Sequence, residues 1–106
     1  MLAARPGIIL DKILYADPDT YVIFYVSTCP YCQGALNLLR NKRVKYKGYN
    51  INDIKGGMTE LLSVLNRSDR ISFNPNHQTK PIIFLNKKLI GGYDDLQNYL
   101  GTSKKY

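Results

Sequence analysis

Tryptophan is absent from this chain of 106 residues, histidine and glutamate occur once each (His77, Glu60), and cysteine occurs twice. Each scarcity excludes something. A structural zinc site takes about four ligands, and beyond Cys29 and Cys32 the chain offers only His77, so no metal site is expected within one copy. No apolar run approaches the ~18–20 residues of a membrane span, and no signal-peptide pattern opens the sequence. Neither membrane association nor export is expected, and the expected compartment is the cytosol. There a lone cysteine pair is more often catalytic or metal-binding than structural. Acidic residues are also few: eight Asp and Glu stand against fifteen Lys and Arg, a net charge of +7. The cations are scattered (Lys42-Arg43, Lys45, Lys47, Lys55, Arg67, Arg70, Lys80, Lys87-Lys88, Lys104-Lys105) and no nucleic-acid-binding motif accompanies them. The charge therefore reads as a solvated basic surface, able to attract small anions or acidic proteins, rather than as a nucleic-acid interface.

What is present reads as one domain over residues 1–106, with an N-terminal helix within 1–19, a core over 20–100 and a tail at 101–106. That length buries ~65% of the unfolded surface without staples. A first helix is expected over 7–16, with Ile9, Ile13 and Ala16 on one face, stopping before Pro18. Residues 21–26 are continuously apolar, as in a central strand covered on both faces. A helix follows over 33–41, with Cys32, Ala35, Leu36 and Leu39 at core spacing. Val44 and Tyr46 alternate with Lys45 and Lys47, which predicts a half-exposed strand near a sheet edge. Met58, Leu61, Leu62 and Leu65 mark an amphipathic helix over 57–66. Residues 66–78 read as a loop. Residues 81–85 and 89–90 form a hairpin across Asn86-Lys87-Lys88, and Leu96, Tyr99 and Leu100 mark a last helix ended by Gly101. The order α-β-α-β-α-β-β-α is an α/β, thioredoxin-like layout, with a four-stranded mixed sheet flanked by helices.

The two cysteines sit together in Cys29-Pro30-Tyr31-Cys32, at the junction of the central strand and its following helix. A disulfide closing so short a loop would constrain almost no chain, so redox chemistry explains the pair better than stabilisation does. Pro30 fits the first helical position, where its missing N–H costs nothing. Cys29 then falls at the N-cap, where the unpaired helical amides favour a thiolate. Cys32 lies one turn inward and shielded. Cys29 is accordingly the expected attacking thiol and Cys32 the resolving one.

Cys29-Pro30-Tyr31-Cys32 is similar to the active site of dithiol glutaredoxins. Thr79-Lys80-Pro81-Ile82-Ile83-Phe84-Leu85 resembles that family's Thr-x-Pro strand, and Ile90-Gly91-Gly92-Tyr93-Asp94-Asp95-Leu96 its Gly-Gly-x-Asp-Asp-Leu turn. The likeness spans roughly residues 20 to 100. Thioredoxin proper fits less well, since tryptophan is absent and the intervening pair is Pro-Tyr rather than Gly-Pro.

The resemblance implies a glutathione-dependent oxidoreductase without a prosthetic group. Its partners would be glutathione, as co-substrate, and disulfide-containing or glutathionylated proteins, ribonucleotide reductase being a common client of the family; a monomer is expected. It also implies a cis proline at Pro81 facing the cysteines. The Lys80 backbone could then pair with an extended tripeptide, while Tyr31, Gln78, Thr79 and Gly92 border the same groove. The Tyr93 and Asp94 amides could cradle a carboxylate at a helix N-terminus, and Asp94 or Asp95 could cap that helix and accept an ammonium group. Many members carry a lysine three residues before the first cysteine; here that residue is Val26. The cation for the glycine carboxylate of glutathione must then come from elsewhere. Gln78 fits the family pattern best, with Arg70, His77 and Lys80 as further candidates. Two other readings remain at this stage: an iron–sulfur carrier using Cys29 and glutathione across a dimer, and a thioredoxin-type reductase served by a flavoprotein.

Overall fold

A computed structural model describes residues 6–104, with side chains over 8–100. The helices are α1 (Pro6–Leu14), α2 (Pro30–Asn41), α3 (Gly57–Arg67) and α4 (Tyr93–Lys104); the strands are β1 (Tyr21–Tyr25), β2 (Tyr46–Asn50), β3 (Ile82–Leu85) and β4 (Lys88–Gly91). The expected alternation of elements is present. A short 3-10 helix at Ile51–Asp53, which no sequence pattern announced, joins β2 to α3.

The sheet runs β2-β1-β3-β4. β1 is parallel to β2 through the α2 crossover and antiparallel to β3, which returns to β4 as a hairpin. The apolar run of β1 has the burial it called for. Because alternate side chains point to opposite faces, Val22 and Phe24 join Ile82 and Phe84 beneath α1 and α3. Tyr21 and Ile23 join Ile83 beneath α2 and α4, against Ala35, Leu39, Leu96 and Leu100. β2 is an outer strand, and Lys47 on it is exposed.

α1 ends at Leu14, leaving Ala16 outside it, and β2 runs over Tyr46–Asn50, leaving Val44 and Lys45 before it. Three further differences from expectation have physical reasons. The hairpin turn is Asn86-Lys87 alone, with φ of 51° and 72°, while Lys88 already belongs to β4. Two left-handed residues match the twist of the flanking strands, and Asn86 suits the position because its side chain also exchanges hydrogen bonds with Asp19 (2.9 and 3.1 Å). The last helix does not end at Gly101 but continues to Lys104. A glycine terminates a helix when it takes a left-handed conformation; in a helical conformation it costs only about 1 kcal/mol relative to alanine. Finally, the segment after α3 is not wholly irregular. Ser72 bridges to β4, donating to the Lys87 carbonyl and accepting from the Leu89 amide (2.9 Å each), while Ile71 is buried and Phe73 stacks on Phe84.

Candidate active site

The site grows from the end of β1. After Tyr25 the chain turns so that the Cys29 amide donates to the Val26 carbonyl (3.1 Å), and the Gln33 amide then closes the first helical bond on the Cys29 carbonyl (3.0 Å). Ser27 ties this turn down, accepting from Gln33 Nε2 at its carbonyl and from Asn50 Nδ2 at its hydroxyl. Cys29 is the N-cap of α2 in extended conformation (φ −90°, ψ 119°), Pro30 occupies the first turn, and no side chain caps the helix start. The open amides of the first turn therefore face the Cys29 sulfur.

The two thiols differ as their positions require. Cys32 is fully buried, whereas Cys29 is partly exposed. Burial pushes Cys32 up to about 11, despite the Val26 amide that donates to its sulfur at 3.4 Å. Burial also acts to raise Cys29, but donors to its sulfur outweigh it: the Cys32 thiol, then the amides of Cys32 and Tyr31, assisted by the charge of Lys80. The net result is a Cys29 thiol below its ordinary value.

A groove of about 570 Å³ opens from Cys29 and is lined by Tyr31, His77, Gln78, Thr79, Lys80, Gly92, Tyr93, Asp94 and Asp95. Of the site residues expected from sequence, Cys32 and Pro81 do not reach its surface; Cys32 is buried behind Cys29, and Pro81 is buried beneath, after a cis Lys80–Pro81 bond. Arg70, weighed as a cation for the groove, is not part of the wall. Val26 is half-buried against the α1/α3 core, so its contribution at the site is its backbone.

The opposite wall is the start of α4. The Leu96 amide bonds to the Gly92 carbonyl (3.0 Å), and Asp95 reaches back to accept from the Gly92 amide (3.0 Å). Asp95 thus plays the acidic half of a capping box. This decides between the two aspartates: Asp95 caps, and Asp94 is exposed on the groove wall. Gly91 has a φ of 124°, and a Cβ there would run into the Asp95 carboxylate. His77 Nε2 donates to the Pro81 carbonyl (3.2 Å) and closes the groove beside Gly92.

Two contributors were missed from sequence. The Val26 amide, as donor to Cys32, carries no side-chain signal. Gly34 carries one, a glycine inside a good helix: a Cβ there would lie 3.0 Å from the Tyr93 ring, so the missing side chain lets α4 approach α2. Tyr31 stands near the same ring, at 6.3 Å between centroids. Among the described residues, no group of three or more His, Cys, Asp or Glu could hold a metal ion, and no helix is long and apolar enough to cross a membrane.

Comparison with known proteins meets this geometry from outside. The glutaredoxin family model matches residues 21–90. A protein of Acanthamoeba polyphaga mimivirus named "Probable glutaredoxin" is 58% identical over 93 residues, covering 87% of this chain and 88% of its own. Glutaredoxin 1 of Rickettsia bellii is 36% identical over 76 residues, covering 71% and 70%. Among solved structures, wheat glutaredoxin superposes with a TM-score of 0.70 at 26% identity, over 98% of this chain and 88% of that one. A buckwheat glutaredoxin–glutathione complex shares the fold, with a TM-score of 0.67 at 19% identity over 93% and 84%. With the family model spanning most of the chain and its Cys29-Pro30-Tyr31-Cys32 motif at the head of α2, this protein belongs to the glutaredoxin family and is a thiol–disulfide oxidoreductase.

Proposed function

We propose that the protein reduces protein disulfides and protein–glutathione mixed disulfides, with glutathione as electron donor. The observation that supports this most is the continuous groove joining Cys29, the Thr79–Lys80 backbone and the start of α4. An extended tripeptide with a sulfur in its middle has a use for each part. Its cysteine meets Cys29, its backbone pairs with Lys80, and its γ-glutamyl carboxylate meets the open Tyr93 and Asp94 amides. Asp94, left free by the capping role of Asp95, faces the adjacent ammonium.

In the proposed cycle the Cys29 thiolate attacks one sulfur of the substrate disulfide and expels the other as a thiolate. A mixed disulfide is left on Cys29. Cys32 then loses its proton and attacks the Cys29 sulfur, releasing the second substrate thiol and leaving the Cys29–Cys32 disulfide. Two glutathiones return the pair to the dithiol and leave as glutathione disulfide. With a glutathionylated substrate, one glutathione can instead release Cys29 directly, so the outer thiol suffices. The cytosol, acting as a monomer, is where we propose this cycle runs. The test is turnover with glutathione plus glutathione reductase against turnover with thioredoxin reductase. Electron flow from the second alone would refute the glutathione reading.

A further inference from the structure

Lys80 occupies the residue before the cis proline, and it is the only lysine or arginine on the groove wall among the described residues. The other formal charges there are Asp94 and Asp95, and Asp95 is engaged with the Gly92 amide. Lys80 is exposed, and none of the hydrogen bonds or ion pairs among the described residues ties up its ammonium. Its charge also acts on both active-site sulfurs, favouring the thiolate form of each. The groove is therefore polarised, with a positive group beside the sulfurs and a negative one, Asp94, at the α4 end.

We propose that Lys80 is a specificity-determining residue that selects disulfides carrying a carboxylate next to the reacting sulfur, so that acidic protein segments are the preferred substrates. This rests on the reading of Cys29 as the attacking thiol. When Cys29 attacks, negative charge spreads over three sulfurs in line and leaves on the departing thiolate; the substrate disulfide gains two electrons and the Cys29–Cys32 pair loses them. A nearby ammonium steadies that charge for every substrate. A carboxylate flanking the substrate cysteine would pair with the same ammonium, and only acidic substrates gain from that. The net charge of +7 draws such segments in from a distance.

The experiment uses the pre-reduced full chain without glutathione, in single turnovers against two disulfide-linked peptides of one sequence. One carries Asp or Glu on both sides of its cysteine, and the other carries Asn or Gln there. The wild type should favour the acidic peptide by about two- to fivefold in rate at low salt, the scale of an exposed ion pair, and the preference should fade as salt is added. Lys80→Gln should bring the ratio closer to one, Lys80→Glu should lower it further, and Lys80→Arg should restore it. An unchanged ratio in Lys80→Gln would overturn the inference while leaving the glutathione reading intact, because no glutathione is present. A wild type that reduces neither peptide would overturn both.

Discussion

Two helix starts face the same groove, and the sequence treats them differently. α2 begins behind a cysteine that offers no capping oxygen, so its first amides stay open toward a sulfur. α4 begins behind Gly92, whose amide is taken by Asp95, so its N-cap donor is satisfied from within the helix while the amides of Tyr93 and Asp94 remain. The first arrangement suits chemistry, because an open helix end stabilises an anion that appears during reaction. On the proposed reading the second serves recognition, because a capped start presents fixed donors to a group that is already charged. One principle of helix polarity thus serves two ends, separated by a single carboxylate.

The largest effect that should separate the two starts lies at α2. Cys29→Ser is expected to abolish all disulfide reduction, whereas Cys32→Ser should retain deglutathionylation and lose reduction of protein disulfides by the dithiol route. Equal loss in both variants on a glutathionylated peptide would break the asymmetry.

Next in size is thiol reactivity. Alkylation needs the thiolate, so rates rise with pH. Cys29, held low, should label fast at neutral pH, and Cys32, near 11, should carry only about one thiolate in ten thousand at pH 7. Mass-spectrometric mapping after brief iodoacetamide treatment should find the adduct predominantly at Cys29, with Cys32 labelling only as pH approaches its own value. Predominant adduct at Cys32 would reverse the assignment of roles.

At α4 the expected effects are smaller and fall on stability and binding. Asp95→Ala removes the acceptor for the Gly92 amide and should cost about 1 kcal/mol in denaturant unfolding, with Cys29 alkylation unchanged. A large change in alkylation would show that the two starts are not separable. Smallest of all is Val26→Lys. The lysine stem can lie along the core that Val26 packs against while the ammonium reaches water. Glutathione affinity should then rise by about 1.4- to 5-fold, less as salt is added. Unchanged affinity in a folded variant would mean that a residue already in the groove holds the glycine carboxylate.

The α2 side of this comparison was legible in the sequence, and the α4 side only partly. A proline after the first cysteine and a β-branched run before it fix a strand, an N-cap and a helix over a dozen residues, all by local rules. At α4, Asp94 and Asp95 are chemically equivalent candidates for the cap. Only the helix phase, which puts Asp95 at the third helical position, tells them apart. Gly101 illustrates the reverse problem. Glycine permits a helix to stop but does not compel it, and α4 continues. The bridge at Ser72 lay out of reach for another reason: one residue paired to a strand has no period, and the surrounding Asn, Ser and Asp residues read as loop. Arg70 and His77 come from that same stretch, and no pattern in it showed that one would reach the groove and the other would not.

The bridge at Ser72 also bears on how this protein meets copies of itself. A sheet with two bare edges can add neighbours at both and so grow without limit; a sheet with one bare edge can only pair. Ser72 takes up the outward Lys87 carbonyl and Leu89 amide, so the β4 edge is covered at that point, while Lys47 is exposed on the other outer strand, β2. Edge-to-edge contact through β2 would bring the Lys47 side chains of two copies together, and like charges oppose such pairing. A loop that looks like an idle insertion thus guards one point of the sheet edge against strand addition.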